Sequence, residues 1–281
     1  MKKLSLIIFL MIISVCVFPV DILVSIQPQK YIVENIVGNR LRVHSLLEEG
    51  DNPHLYEPTP GDLLTASEAD VFFAINIEFE HSLIPKIKGV NTDLRIVDIS
   101  SVLDKISMSG HGDHDHSHGR KDPHVWLSPA NNMKMAGAYM KVLCEMWPEH
   151  TDYFKTNTES LIVRTNKIAI DIRTLLSGNI KQRDFFIFHP AWGYFADEFG
   201  LVQHAVEVEG KEPGPAQLAA LIKKMEAQNA RVLVVKKGNI PSLAHSLSRS
   251  LDLELVELDP LAYDVNSNLM KSAERLRKAL R

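Results

Sequence analysis

Apolar residues recur along the chain as short runs that alternate with stretches of helical periodicity. The short runs predict buried strands at 22–26, 41–47, 71–75, 95–99, 185–188, 204–208, 231–235 and 254–258. Apolar positions at helical spacing predict helices at 31–37, 62–69, 83–87, 129–147, 191–199, 215–228, 241–250 and 266–280. Strands that alternate with helices indicate parallel α/β sheets.

One predicted helix is much longer than the others. Residues 151–176 contain no Gly or Pro, and Leu161, Ile168 and Ile172 recur at helical spacing. At 1.5 Å per residue such a helix spans roughly 39 Å, about the length of two small lobes. We therefore expect two parallel-sheet α/β lobes, at 21–150 and 178–281, joined by one long backbone helix at 151–177.

The amino terminus predicts export from the cytoplasm. Met1-Lys2-Lys3 is a short positive segment, and an apolar, uncharged stretch follows it up to residue 20. This pattern is typical of a signal peptide or an N-terminal anchor at 1–20. The segment Ile13-Ser-Val-Cys16 loosely resembles a lipoprotein box. We therefore expect a protein in the periplasm or on the outer face of the cell membrane, and Cys16 is a candidate site for a lipid tether.

Composition and charge narrow the class of protein. The 281 residues are 45% hydrophobic and 23% charged, with a formal net charge of −4. This composition is globular, and the absence of a basic excess disfavours nucleic acid as a partner. The two cysteines, Cys16 and Cys144, lie in the leader and in a predicted helix. They would not pair after processing, which excludes a disulfide scaffold, and we expect a monomer.

A histidine-rich loop precedes the fourth predicted helix. Within 109–121, four histidines are spaced by Gly, Asp and Ser, namely His111, His114, His116 and His118. Short tracts of this composition are typical of metal binding. A solvated linker is the alternative interpretation. We expect this loop to bind metal weakly, as an auxiliary element.

Four side chains that can bind a metal lie in stiff loops or directly after predicted strands. His54 lies in the proline-rich loop 49–60, and His124 follows Asp122-Pro123. His189 and Asp259 directly follow two predicted strands. Ligands of α/β proteins bind at the carboxyl ends of strands, so these residues predict a site in the interlobe cleft. Three imidazoles and one carboxylate suit Zn²⁺, although each residue singly is also compatible with an ordinary turn.

Three segments resemble, in the same order, motifs of the metal-binding receptors of zinc-uptake ABC importers. They are Asn52-Pro-His-Leu-Tyr-Glu-Pro-Thr-Pro60, Asp122-Pro-His-Val-Trp-Leu-Ser-Pro129 and Phe188-His-Pro-Ala-Trp-Gly-Tyr-Phe195. The segment 212–218 also resembles that family. The resemblance implies two α/β lobes, one interlobe metal, His54, His124 and His189 as ligands, and Asp259 at the place of the last carboxylate. A histidine-rich loop is typical of the zinc members. Residues 235–239 are basic here, whereas relatives often carry an acidic or Gln-containing segment at this place.

The resemblance implies an extracytoplasmic protein that binds Zn²⁺ with high affinity and delivers it to an ABC permease in the cytoplasmic membrane. It implies no catalysis. One alternative is a manganese or iron receptor of the same family, although such members more often place Glu where His189 stands. A secreted zinc-dependent hydrolase is an alternative of another class. It would need an open coordination position, and the chain has no His-Glu-x-x-His segment.

Overall fold

A computed structural model gives the structure of the chain, and it describes residues 20–51, 53, 56–108, 121–178, 180, 182–208, 210–238 and 240–280. Every predicted strand and helix has a counterpart there. His54, the four histidines of the loop at 109–121, and the leader with Cys16 lie outside the described residues.

The first sheet contains four parallel strands in the order β2-β1-β3-β4. The strands are β1 (Ile22–Val24), β2 (Val43–Ser45), β3 (Val71–Ala74) and β4 (Arg95–Asp98). Its helices are α1 (Gln27–Val37), α2 (Pro60–Glu68), α3 (Glu80–Val90) and α4 (Pro129–Met146). Chain order reverses between β1 and β3, and such a switch point opens a crevice at the carboxyl ends of the strands.

The second sheet repeats this topology, with four parallel strands in the order β6-β5-β7-β8. The strands are β5 (Asp184–Ile187), β6 (Val202–Ala205), β7 (Val232–Lys236) and β8 (Glu254–Leu258). Its helices are α6 (Gly193–Phe199), α7 (Pro215–Ala227), α8 (Ser242–Leu251) and α9 (Val265–Ala279). The switch point lies between β5 and β7, so the loop that begins with His189 leaves the sheet at its crevice.

The long helix predicted between the two sheets is α5 (Thr151–Ser177). It packs against α1 and α4 on one side and against α9 on the other. One continuous apolar core includes residues of both sheets and of α5, such as Leu23, Phe154 and Leu258. This shared core disfavours a wide separation of the lobes, because opening them would expose apolar surface.

The main differences from the sequence-based expectations are at element ends. Helix α1 begins at Gln27 with Pro28 in its first turn, four residues before the predicted start. Helix α3 extends to both sides of the predicted 83–87 and includes Pro85. Strand β6 occupies Val202–Ala205 instead of 204–208. In α1 and α3 polar or proline-containing terminal turns obscured the helical periodicity, and in β6 the polar residues Gln203 and His204 obscured the start of the strand.

Among the described residues no helix is both long enough and apolar enough to span a lipid bilayer.

Candidate metal centre

The structure brings His124 and His189 together. Their Nε2 atoms lie 3.4 Å apart, and their rings are nearly perpendicular, with centroids 5.3 Å apart. His124 comes from the segment that precedes α4, and His189 from the loop after β5. The two elements belong to different sheets, so the histidine pair bridges the two halves of the molecule. For comparison, two nitrogens bound at 2.0–2.1 Å to one tetrahedral ion lie about 3.3 Å apart.

Each of these histidines has a carboxylate on its other ring nitrogen. Asp122 Oδ1 lies 2.7 Å from His124 Nδ1, and Glu207 Oε2 lies 2.7 Å from His189 Nδ1. A carboxylate at Nδ1 favours the tautomer that carries its proton there, so that Nε2 presents a lone pair. With both rings in this tautomer, two Nε2 lone pairs lie 3.4 Å apart. A cation bound by both nitrogens would remove the repulsion between them.

The His124 side of the pair is the more deeply buried. The side chains of His124 and Asp122 are 10% and 1% exposed, whereas those of His189 and Glu207 are 24% and 18% exposed. The Asp122 carboxylate also accepts a hydrogen bond from the His124 backbone N–H at 2.9 Å. Proline at 123 restricts the backbone between them. The sequence therefore builds a stiff Asp-Pro-His unit on one side of the cleft and a more accessible His–Glu pair on the other.

Sequence reasoning missed both carboxylates as functional residues. For Asp122 the spacing Asp-Pro-His was a usable signal, because a carboxylate two residues before a histidine can reach both its backbone and its ring. For Glu207 there was no local signal. It lies 18 residues after His189, just past β6, and only the β5–β6 pairing brings the two together.

Asp259 lies after β8, as predicted, but its carboxylate has other partners. Its Oδ1 accepts a hydrogen bond from Leu261 N at 3.0 Å, and its Oδ2 lies 3.9 Å from Lys237 Nζ. Within the described part of the chain, no group of three or more His, Cys, Asp and Glu side chains is placed to hold one ion. The structure therefore unites two of the predicted ligands and leaves Asp259 paired with a lysine.

The segment after Asp259 nevertheless reaches the histidine pair. Trp126 is buried, and its indole Nε1–H donates to the carbonyl oxygen of Pro260 at 2.6 Å. The same indole packs edge-on against His124, with ring centroids 5.5 Å apart. Trp126 thus ties the loop after β8 to the ligand segment of the other half.

Further contacts close the cleft beside the histidines. The Tyr194 hydroxyl donates to the carbonyl oxygen of Asp122 at 3.0 Å and accepts from Ile106 N–H at 3.3 Å. Burial, and next the charge of Asp122, raise the pKa of Tyr194 to about 12, so the hydroxyl stays protonated as this double role requires. A further contact between the two halves joins Lys236 Nζ, which donates to the carbonyl oxygen of Asp51 at 3.1 Å.

Comparison with known proteins places the chain in a family. The family model described as "Zinc-uptake complex component A periplasmic" matches residues 22–276. The chain belongs to this family. A solved structure titled "Crystal structure of ZnuA" shares 31% sequence identity and a TM-score of 0.87, over 94% of this chain and 100% of that one.

Two further matches show the range of the family and of the fold. The "Zinc-binding lipoprotein AdcA" of Streptococcus pneumoniae is 27% identical over 251 residues, which are 86% of this chain and 50% of AdcA. The Mn²⁺ complex of FpvC from Pseudomonas aeruginosa is 20% identical, with a TM-score of 0.80 over 93% of this chain and 98% of that one. Because FpvC shares the fold with another metal, the fold alone does not select the ion.

Membership of the family confirms the coarse interpretation of the sequence. The chain is a metal-binding solute-binding protein, the receptor component of an ABC importer, from a periplasmic family that is not a family of enzymes.

The two carboxylates behind the histidines lead to a prediction about affinity. We expect Asp122→Asn and Glu207→Gln each to weaken zinc binding by about 10- to 100-fold, because each replaces the charged acceptor that fixes a ligand tautomer with a neutral amide, which can also donate. The measurement is competition against a fluorescent chelator at pH 7.5.

A second His–carboxylate pair supplies the control. Asp184 Oδ1 lies 2.6 Å from His204 Nε2, and Asp184 begins β5 whereas His189 follows that strand. Asp184→Asn therefore disrupts a similar pair at the opposite end of the sheet, and zinc affinity should not change. Equal losses in all three variants would mean that the effect is general destabilisation.

Proposed function

We propose that the chain captures Zn²⁺ outside the cytoplasm and delivers it to an ABC permease in the cytoplasmic membrane. The proposed ligands are His54, His124, His189 and Asp259. The observation that carries this proposal is the pair of Nε2 atoms, 3.4 Å apart, each with a carboxylate 2.7 Å behind it on Nδ1. The spacing suits two nitrogen ligands of one tetrahedral ion, and the carboxylates favour the tautomers that such ligands require.

The choice of zinc over manganese rests on ligand chemistry and on relatives. Imidazole suits zinc, whereas Mn²⁺ is better served by carboxylate and carbonyl oxygens. The family that matches the chain is described by zinc uptake, and its relative AdcA is named for zinc binding. A site with two paired histidines at its centre agrees with both arguments.

Capture requires Asp259 to exchange partners. In the structure its carboxylate lies 3.9 Å from the Lys237 ammonium group, whose side chain is 58% exposed. An exposed ion pair of this length contributes about 0–1 kcal/mol, so a divalent ion can displace the lysine at little cost. Release to the permease would reverse the exchange, with Lys237 again compensating the charge of Asp259.

The remaining features of the proposal concern the ends and loops of the chain. Residues 1–20 would direct export, and Cys16 is the candidate site of a lipid tether. The lobes would occupy 21–150 and 178–281, with 151–177 between them, in a monomer. The loop with His111, His114, His116 and His118 would collect metal weakly before it reaches the central site. The secreted hydrolase remains the alternative of another class, and zinc-dependent turnover of ester or peptide substrates would support it.

Native mass spectrometry of the mature protein tests this proposal directly. We expect one tightly held zinc per chain, retained when residues 111–118 are deleted, and displaced by Mn²⁺ only at large excess. The measured mass also gives the mature amino terminus. Loss of the tight zinc with the loop, or equal competition by Mn²⁺, would contradict the assignment.

A further inference from the structure

At Gly193 the second half of the molecule approaches Asp122 so closely that no space remains for a side chain. Gly193 is buried and begins α6, four residues after His189. A Cβ atom at this position would lie 2.6 Å from Asp122 Oδ2 and 3.3 Å from Ile106 Cδ1. Both contacts are to side chains of the segment before α4, across the cleft. A side chain at 193 would therefore collide with the support of His124.

The need for glycine at 193 comes from space and not from backbone conformation. The glycines with positive φ in the described structure are 38, 50, 200, 210 and 238, so Gly193 has a φ that any residue can adopt. Alanine also has a higher helix propensity than glycine. Backbone conformation and helix propensity alone would therefore favour alanine at position 193. The steric contact with Asp122 opposes this preference.

Asp122 has little freedom to move away from such a side chain. Its Oδ1 is held by the backbone and the ring of His124, at 2.9 and 2.7 Å, and its own N–H donates to the Ile106 carbonyl oxygen at 3.0 Å. Its carbonyl oxygen accepts from Tyr194, the residue next to Gly193. Displacing Oδ2 would therefore rotate the carboxylate that fixes the His124 tautomer, or would push the two halves apart.

The size of the displacement is large compared with the tolerance of a metal site. An ordinary contact begins near 3.4 Å, so a methyl group at 193 needs 0.8 Å more than the 2.6 Å available (3.4 − 2.6). Metal–ligand distances are held within about 0.2 Å. A shift of this size, passed to His124, would take its Nε2 out of reach of an ion held by His189.

We propose that Gly193 is a positioning residue whose missing side chain sets the spacing between the two halves at which His124 and His189 share one ion, with Asp122 as the intermediary. This inference rests on the proposed function, because the ion in question is the proposed cargo. It adds a residue that is not itself a proposed ligand, and it gives the cleft a defined spacing between its two halves.

The test compares Gly193→Ala with Gly137→Ala. Gly137 lies inside α4, and a Cβ there would meet nothing within 4 Å, so it is a helical glycine without the steric contact. We expect Gly193→Ala to weaken zinc binding by at least about 10-fold, as for loss of a group that orients a ligand. Gly137→Ala should stay within about twofold of the parent. Thermal melts of both metal-free variants check that each is folded.

A double substitution separates the proposed route from general damage. In an Asp122→Ala background the obstructing carboxylate is absent, so adding Gly193→Ala should change affinity by no more than about twofold. A full additional loss in that background, or wild-type affinity of Gly193→Ala alone, would overturn the proposal.

The His124 tautomer gives a readout that needs no metal. In ¹⁵N-resolved spectra of the metal-free parent we expect the proton on Nδ1 of both His124 and His189. Gly193→Ala should shift His124 toward a mixture of tautomers and leave His189, which Glu207 holds, unchanged. Unchanged spectra of both would also overturn the proposal. If the parent itself fails to bind zinc while the tautomer of His124 still shifts, the proposed function fails, and only the steric effect of position 193 on Asp122 and His124 stands.

Discussion

Replacing His189 by alanine is expected to weaken zinc binding by about two orders of magnitude or more. Structural zinc sites with four ligands contribute roughly 10–16 kcal/mol in all, which is about 3 kcal/mol for each ligand. At 1.4 kcal/mol per tenfold change, the loss of one ligand corresponds to a factor of about 100. His189→Ala also leaves the Glu207 carboxylate without its imidazole partner, which adds to the loss.

Replacing His124 by alanine should weaken zinc binding at least as much as replacing His189. His124 is 8% exposed, and the carboxylate behind it is 1% exposed. Removing the ring leaves Asp122 as a buried charge with one partner fewer, which is costly in its own right. We therefore expect His124→Ala to lose both affinity and thermal stability, whereas His189→Ala loses mainly affinity.

Isothermal titration with a competing chelator measures these losses. His245 lies on α8, in the same half as His189, and is exposed. His245→Ala is therefore the control, because it removes an imidazole that is not a proposed ligand. Its zinc affinity and stoichiometry should equal those of the parent. If His189→Ala kept the parent affinity and still bound one zinc per chain, the central site would have to be elsewhere.

The sequence predicted the convergence of His124 and His189 for a reason that is general to parallel sheets. His189 directly follows the apolar run of β5, so its position at a carboxyl edge depended only on locating the strand. His124 was predicted through its stiff Asp-Pro context and through the family resemblance. In both cases local pattern carried the information.

The remaining parts of the site depend on tertiary packing that no local pattern reveals. Glu207 reaches His189 only because β6 lies beside β5 in a particular register. Gly193 matters only because the two halves approach within contact distance. Lys237 pairs with Asp259 across the ends of β7 and β8, which are neighbours in the sheet but lie 22 residues apart along the chain (259 − 237). Such contacts follow from the fold, and the fold must be known first.

Glu80 lies at the switch point of the first sheet, and no local sequence pattern reveals its contacts either. We expect its replacement to have a large effect on stability. It is 1% exposed at the start of α3, where no sequence pattern marks it. Its carboxylate accepts hydrogen bonds from the Ser25 hydroxyl, from Ile75 N–H at 2.9 Å and from Asn76 N–H at 2.7 Å. These donors follow β1 and β3, so one side chain joins the two strand ends that open toward the cleft.

Glu80→Ala should lower the free energy of unfolding by about 3 kcal/mol or more at pH 5. Two buried donors, the Ser25 hydroxyl and the Ile75 N–H, lose their acceptor together with the part-buried N–H of Asn76, and each unsatisfied buried group costs about 1–3 kcal/mol. Glu159→Ala is the control, because Glu159 is exposed on α5 and should change stability by no more than about 0.5 kcal/mol. Urea unfolding of the two variants measures the difference. A loss at Glu80 as small as that at Glu159 would contradict the bridging role.

Glu80→Gln tests the charge of this group separately. Burial raises the pKa of Glu80 from its ordinary value of 4.5 to about 7, although its three donors oppose the shift. The folded protein therefore holds this proton more tightly than the unfolded chain does. The stabilisation is complete below about pH 4.5 and is lost as the pH rises through 7.

Glutamine does not titrate, so the parent should lose about 2.5 kcal/mol relative to Glu80→Gln between pH 5 and pH 8, from 1.36 kcal/mol per pKa unit. Unfolding curves of the two proteins at both pH values give this difference directly, and other titrating groups cancel because the chains share them. Parallel stabilities at both pH values would mean that the three donors outweigh burial and that Glu80 is ionised throughout. The loops after β1 and β3 would then be held by a permanent charge, and the first half of the cleft would keep its shape at any pH in this range.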